Sequence, residues 1–239
     1  MIENINPYPV GDQFNPMTFT YNFLQTGIVP ERSLGTSMKK WIIKFCHKLP
    51  KNAKIIDVPC GGGETSELID SLGYQVYPVD GSLAMINKVR GQASTRNTNY
   101  LNNIKQADIF DLPYADGEFD GLVCVETLSL GSTVQRKKVI QHLSRIIKPG
   151  GRIIIISAEN PESFLEMNGE KTIIDETKIF ETLQRERPTN YASEIKLTRE
   201  TIRELMNENF IIDQTKRSTI PESRWQKGRH LIMVEGIKK

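Results

Sequence analysis

The stretch Lys54–Ile69 constrains the fold of this chain more than any other. A β-branched run ends in the acid Asp57, passes through the glycines at 61–63 and gives way to helical spacing. This order predicts a strand, a tight turn and the N-terminus of a helix. Glycines let backbone N–H groups approach a ligand, and the helix dipole favours negative charge there. We therefore expect a ligand carboxylate or phosphate at this corner, although a glycine-rich turn is also typical of tight backbone packing.

Further strands and helices alternate along the chain after this corner. Strands are predicted at residues 74–79, 104–107, 119–125 and 152–157, with helices at 64–72, 82–90 and 134–148. The run Ile153–Ile156 is apolar at every position, which indicates a strand covered on both faces, as in a parallel sheet. The alternation predicts an α/β, Rossmann-like doubly wound sheet, whose ligands bind at the carboxyl ends of the strands.

The whole chain, 1–239, is interpreted as a single domain with four parts. Residues 1–50 form an aromatic N-terminal lid segment and a helix, and residues 51–158 form the core. Residues 159–190 are charged and irregular and form an insertion or cap, while residues 191–239 form a C-terminal helix followed by strands at 210–218 and 230–237. The N-terminal segment carries too many aromatic residues for a disordered tail.

Composition limits the partners and the compartment. A net charge of +2 is too small to indicate a nucleic-acid or membrane partner, and we expect neither. Cys46, Cys60 and Cys124 fit neither a metal-ligand pattern nor a disulfide framework, which favours a reducing compartment. No signal peptide or long apolar run is present, so we expect a cytoplasmic protein. The oligomeric state cannot be predicted from the sequence.

Three acids follow consecutive predicted strands. Asp57, Asp80 and Asp108 each lie at or near a strand's carboxyl end, where they would repel one another unless they met hydrogen-bond donors. Asp80 is suited to accept from both hydroxyl groups of a ribose, and Asp108 is suited to an adenine amine. Each charge-assisted hydrogen bond contributes about 1.5–3 kcal/mol. The three acids together with the glycine turn predict a nucleoside-containing ligand.

The arrangement resembles the class I S-adenosylmethionine-dependent methyltransferases from about Lys54 to Ser157. The first motif of that family, D-x-G-x-G-x-G, is similar to Asp57–Gly63, where Pro59 replaces the first glycine. Four further blocks occur in the family's order, and they are found at residues 80–85, 107–113, 116–120 and 143–151. Among these proteins the chain looks most like the small-molecule methyltransferases of quinone biosynthesis.

The resemblance implies a sheet of about seven strands, mostly parallel, with an antiparallel C-terminal strand. It also implies S-adenosylmethionine as the cofactor, S-adenosylhomocysteine as the product, a small-molecule acceptor and no metal. The cofactor-binding residues that it implies are Asp57, Pro59, Gly61, Gly63, Asp80, Gly81, Met85, Asp108, Ile109, Val125 and Glu126.

Glu126 is the candidate catalytic residue because it follows the fourth strand at the crevice. It would act as a general base for a protonated acceptor, or it would orient the amino group of the cofactor. Cys60 lies inside the cofactor loop and is interpreted as a small packed residue. Aromatic residues outside the sheet core are the candidate substrate contacts: Phe19, Tyr21, Phe23, Phe164 and Tyr191.

Other functions compete with this interpretation. The pattern Gly61-x-Gly63-x-x-Ser66 partly matches a dinucleotide dehydrogenase, but Glu64 in the first helical turn would repel a pyrophosphate. No Asp/Asn-Pro-Pro-Tyr follows the fourth strand, where amino-methylating enzymes of DNA or protein glutamine carry it. A methyltransferase of RNA or protein, or a non-catalytic regulatory protein that binds S-adenosylmethionine, stays an alternative.

Overall fold

A computed structural model of the chain describes residues 34–128, 132–159, 164–167, 170–175, 178, 182, 185, 191–194, 196–219 and 230–239. The predicted lid residues Phe19, Tyr21 and Phe23 lie outside the described residues. For Phe164 and Tyr191, only the backbone is described. The boundaries predicted for the four parts of the chain stay predictions.

A seven-stranded sheet forms the centre of the described structure. Five of its strands run parallel to one another: β1 (Lys54–Asp57), β2 (Gln75–Asp80), β3 (Lys105–Gln106), β4 (Phe119–Val125) and β5 (Ile147–Ala158). Their spatial order is β3-β2-β1-β4-β5. The strand order therefore reverses between β1 and β4, which is where ligands bind in doubly wound sheets.

Helices cover both faces of the sheet. On one face lie α1 (Thr36–Cys46), α2 (Glu64–Ser71) and α3 (Leu83–Arg96), and on the other lie α4 (Thr133–Ile146) and α5 (Arg199–Met206). In β5, Ile153 and Ile155 belong to one apolar cluster, whereas Ile154 and Ile156 belong to the other. All four side chains are buried, so the prediction of a strand that is covered on both faces is confirmed.

The C-terminal strands complete the sheet beside β5. They are β9 (Phe210–Thr219) and β10 (His230–Lys238), in the spatial order β5-β10-β9. The last strand, β10, runs antiparallel to both of its neighbours. The predicted fold class, a mostly parallel α/β sheet of seven strands with an antiparallel C-terminal strand, is therefore confirmed.

Several predicted boundaries were wrong. The third strand has two residues instead of four, α3 continues to Arg96 instead of residue 90, and β5 begins at Ile147 instead of 152. The segment predicted to be irregular, 159–190, contains two strands of a separate antiparallel sheet, and the third strand of that sheet follows directly after it, in the order β7-β6-β8. These strands are β6 (Phe164–Met167), β7 (Glu170–Ile173) and β8 (Tyr191–Glu194). Their high charge masked the alternation that would have predicted strands.

Among the described residues, no helix combines the length and the apolar character needed to cross a bilayer.

A buried carboxylate joins α1 to the C-terminal strands. Glu235 of β10 is 1% exposed, and it accepts hydrogen bonds from Lys48 at 2.8 and 2.9 Å, Arg152 at 2.7 Å and Gln214 at 2.6 Å. Lys48 and Arg152 also donate to Asp213, each at 2.9 Å, and these bonds lower the pKa of Asp213 to about 2. Because Lys48 follows α1, the network fixes that helix on the sheet.

Replacing this carboxylate should cost stability. Glu235→Gln keeps the side chain's size but leaves Lys48 and Arg152 without their buried counter-charge, so the free energy of unfolding should fall by about 2–3 kcal/mol. Glu204→Gln on the exposed side of α5 is the control and should change it by less than about 0.5 kcal/mol. Urea denaturation measures both variants. If Glu235→Gln lowered the free energy of unfolding no more than the control does, the network would add nothing to stability.

Candidate cofactor-binding site

The glycine corner follows β1 directly. The Val58–Pro59 peptide bond is cis, and Gly61 and Gly63 have left-handed backbone angles, with φ of +50° and +89°. Gly63 is the N-cap residue of α2 and donates its N–H to the Cys60 carbonyl at 2.9 Å. The predicted strand, turn and helix N-terminus are therefore confirmed, and the left-handed angles explain why glycine occupies both positions.

The three glycines have different surroundings. A Cβ atom on Gly62 would lie 2.6 Å from the Glu64 carboxylate, and one on Gly63 would lie 3.1 Å from Val89. A Cβ atom on Gly61 would meet nothing within 4 Å. A side chain on Gly62 would displace only the flexible end of Glu64, and one on Gly63 would press on Val89, whereas Gly61 borders open space. A ligand can approach the backbone closely at Gly61.

Asp80, the last residue of β2, holds this corner in place. One carboxylate oxygen accepts the Gly61 N–H at 2.9 Å and the other accepts the Ser82 N–H at 2.8 Å. Burial raises the pKa of Asp80, and these two hydrogen bonds oppose that shift. Each carboxylate oxygen can accept a further hydrogen bond. The residue therefore fits a ligand with two neighbouring hydroxyl groups, as the sequence predicts.

Asp57 lies deeper than the other acids. Its side chain is fully buried, and one oxygen accepts a hydrogen bond from the Ser66 hydroxyl at 2.5 Å. The other oxygen, Oδ1, has no partner among the described residues. Burial raises the pKa of Asp57 to about 7, and the charges of Asp80 and Glu64 contribute in the same direction. Asp57 is therefore not equivalent to the other two acids, a difference that the sequence does not reveal.

Residues from the next two segments lie beside Asp80. Gln106 pairs with Asp80 across the sheet and donates to the Gly81 carbonyl at 3.1 Å. Asp108 follows two positions later and accepts the Phe110 N–H at 2.9 Å. Met85 is buried in the first turn of α3, where its N–H binds the Ser82 hydroxyl at 3.4 Å. The structure thus places Asp80 and Asp108 at or just after the ends of neighbouring strands, and Met85 in the first turn of the helix that follows Asp80.

Ile109 and Val125 complete the predicted set, and both are half-buried. Ile109 packs against the apolar cluster on the α4 face, and Val125 is the last residue of β4.

Glu126 has an unusual backbone conformation. Its φ of +59° lies in the left-handed region, which costs a residue other than glycine about 1–2 kcal/mol. Its N–H donates to the Ile156 carbonyl of β5 at 2.8 Å, so the neighbouring strand holds this conformation. Strained backbone conformations cluster at functional sites, although turns such as the one at Asn52 also contain them. The angle supports the choice of Glu126, and no sequence pattern predicts it.

Cysteine and metal chemistry have no support at this corner. Cys60 is buried, and burial raises the pKa of its thiol well above the ordinary value, so a thiolate nucleophile is disfavoured. In the part of the chain that the structure describes, no group of three or more His, Cys, Asp or Glu side chains is placed to hold a metal ion. The expectation that no metal takes part stays a prediction.

The chain is similar in sequence to a known protein family. A family described as a methyltransferase domain matches residues 56–155, which contain the glycine corner, all three acids and Glu126. The matched stretch is less than half of the chain, and together with the fold it supports a class I S-adenosylmethionine-dependent methyltransferase. Members of this class bind S-adenosylmethionine, and the residues of the corner described above fit such a cofactor.

Curated relatives match part of the length of this chain. The demethylmenaquinone methyltransferase of Paenarthrobacter aurescens is 32% identical over 110 residues, which are 45% of this chain and 40% of the relative. The ubiquinone/menaquinone biosynthesis C-methyltransferase of Geotalea daltonii is 25% identical over 163 residues, or 65% of this chain and 66% of the relative. The chain thus spans about half the length of these relatives.

A crystal structure from Pyrococcus horikoshii shares the fold. It superposes with a TM-score of 0.64 at 17% identity and covers 92% of this chain and 99% of the other.

Substitution of Gly61 tests the open approach to the corner. In Gly61→Ala, a methyl group would occupy the free space and the left-handed angle would be strained, so S-adenosylhomocysteine should bind at least about tenfold more weakly. Gly91→Ala in the exposed middle of α3 is the matched control, since a Cβ there also meets nothing within 4 Å. The control should gain about 0.5–1 kcal/mol of stability with unchanged binding. Calorimetry measures binding, and equal affinity of the two variants would contradict the assignment.

Proposed function

We propose that the chain transfers a methyl group from S-adenosylmethionine to a small-molecule acceptor. The observation that carries the proposal is the pairing of open, left-handed Gly61 with the Asp80 carboxylate, which binds the Gly61 N–H and keeps further acceptor capacity. The names of the two curated relatives, both of which concern quinone methylation, support a small-molecule acceptor. The acceptor atom is left open.

In this proposal, each part of the cofactor meets a different group of residues. Asp80 accepts from the ribose hydroxyls, Asp108 accepts from the adenine amine, and Met85 and Ile109 flank the adenine. Gly61 lets the methionine portion lie against the backbone. When bound, the cofactor supplies an electrophilic methyl group, so the protein's main contribution is in-line positioning, which can lower a barrier by about 7–11 kcal/mol.

Glu126 has one of two roles in the proposal. It accepts a proton from a hydroxyl or carbon-acid acceptor, or it orients the amino group of the cofactor. Its position just after β4, with the left-handed angle held by β5, supports both roles.

The acceptor pocket is proposed to include aromatic residues outside the sheet core. These residues would exclude water and fix the acceptor beside the sulfonium. The candidates are Phe19, Tyr21, Phe23, Phe164 and Tyr191, and their participation stays a prediction.

The direct test is incubation with methyl-labelled S-adenosylmethionine and a metabolite extract. We expect a labelled small product, and Asp80→Ala should weaken cofactor binding about a hundredfold, or ~3 kcal/mol. This variant loses the ribose contact and also frees the Gly61 and Ser82 N–H groups. Asp116→Ala, which removes an exposed carboxylate, is the control and should bind normally. Label found in protein or RNA would favour those acceptors, and no transfer would favour a non-catalytic binding protein.

Substitution of the strained acid should separate stability from activity. Glu126→Gly removes the carboxylate and relieves the left-handed angle, so unfolding should cost about 0.5–1 kcal/mol more while transfer falls at least about tenfold. Asn52→Gly, in the turn before β1 with a φ of +60°, is the control and should keep full activity. Thermal unfolding and initial rates are the measurements. Unchanged transfer by Glu126→Gly would exclude the residue from the reaction.

A further inference from the structure

Helix α1 lies along the edge strand β9. The hydroxyl groups of Ser37 in α1 and Ser218 in β9 are 2.8 Å apart, and about three helical turns later Lys48 donates to Asp213 of β9 at 2.9 Å. The helix and the strand therefore run antiparallel to each other, with the beginning of α1 next to the end of β9. Because β9 is parallel to β5, this end lies at the edge of the sheet that carries the cofactor corner.

Three lysines lie along this junction. Lys44 follows Ser37 by seven positions, which is about two turns of an α-helix, so both side chains are on the side of α1 that faces β9. Lys40 lies one turn before Lys44, and both are exposed. Lys216 of β9 pairs with Met233, which belongs to the apolar cluster beneath α1, so its side chain projects from the face that α1 covers. We call Lys40, Lys44 and Lys216 the lysine strip.

The lysine strip has no counter-charge in the described part of the chain. None of its three side chains forms an ion pair or a hydrogen bond with another described residue. Helix α1 contains no acidic residue, and two lysines of the strip are four positions apart, where like charges repel. The acids Asp213 and Glu235 of the neighbouring strands are already paired with Lys48 and Arg152. The positive charge of the strip is therefore left to an external partner.

The chemistry of α1 favours an anionic lipid surface as that partner. A basic amphipathic helix is typical of proteins that bind a membrane surface, where each lysine near anionic lipids adds to the affinity. Helix α1 has no arginine, and its aromatic residues Trp41 and Phe45 are buried, so it lacks the exposed side chains that contact nucleic-acid bases. Its apolar side packs on the sheet, which leaves the lysines alone to contact a bilayer.

We propose that the lysine strip docks the protein on a bilayer that contains anionic phospholipids. The ammonium groups pair with lipid phosphates, and α1 stays packed on the sheet. The bilayer then lies beside the end of β9, at the edge of the sheet that carries the cofactor corner. The inference goes beyond the proposed function and does not depend on it. The net charge of +2 did not indicate a membrane partner because it averages the strip with acids elsewhere in the chain.

Co-sedimentation with vesicles tests the proposal on the full chain. At low salt we expect the protein to bind vesicles of phosphatidylcholine mixed with phosphatidylglycerol, and to stay in solution with vesicles of phosphatidylcholine alone. Because the contact is electrostatic, binding should fall steeply as sodium chloride is added. It should be lost near about 1 M, where charges are screened beyond about 3 Å.

Charge reversal makes the test specific to the strip. Each lysine should contribute about fivefold to the affinity, so Lys40→Glu/Lys44→Glu should weaken vesicle binding at least about twentyfold. Lys216→Glu, on a different element, should weaken it at least about fivefold. The matched control is Lys88→Glu/Lys138→Glu, which changes the net charge by the same amount on α3 and α4 and should bind within about twofold of the wild type. Circular dichroism checks that each variant is folded.

The outcomes separate a bilayer from other partners. Absence of binding to the mixed vesicles, or equal losses in the two double variants, would overturn the proposal. Single-stranded RNA of mixed sequence is the competing probe. RNA binding that needs Lys40 and Lys44, without vesicle binding, would show a nucleic-acid surface in its place. Failure of the wild type to bind S-adenosylhomocysteine would overturn the proposed function and leave this inference standing.

Discussion

Two hydrogen bonds from backbone N–H groups to the Asp80 carboxylate determine the shape of the site. They join Gly61 in the loop after β1 to the end of β2, and this loop lies next to the point between β1 and β4 where the strand order reverses. Because Asp80 fixes the Gly61 N–H, the loop can keep its left-handed angle and leave open space above the glycine. Each oxygen of this carboxylate can also accept a hydrogen bond from a ligand. One side chain therefore both holds the loop in place and can bind a ligand beside it.

This arrangement brings several acidic side chains together at one edge of the sheet. Each of them is stabilised by different hydrogen bonds. Asp80 accepts two backbone N–H groups, and Asp108 accepts the N–H of Phe110. Asp57 has the Ser66 hydroxyl and is otherwise buried, so its pKa rises to about 7. A cationic ligand portion would relieve this repulsion, which explains why a site rich in acids and poor in described cations suits an S-adenosylmethionine-like ligand.

Much of this structure could be predicted because it depends on local patterns. The glycines after Asp57 required a turn, and the isoleucine run required a strand buried on both faces. The rest depends on contacts between distant segments. The left-handed angle of Glu126 is imposed by the Ile156 carbonyl, and the burial of Asp57 depends on Ser66 and the strands around it. The strands within the predicted insertion were missed because charged residues hide their alternation.

A crystal structure with S-adenosylhomocysteine bound would test the central claim most directly. We expect both ribose hydroxyls within about 2.7–3.2 Å of the Asp80 carboxylate, and the methionine portion against the open side of Gly61. The bonds from Asp80 to the Gly61 and Ser82 N–H groups should be kept in that complex. Ribose hydroxyls bound by other residues, or a methionine portion away from the glycine corner, would contradict the account.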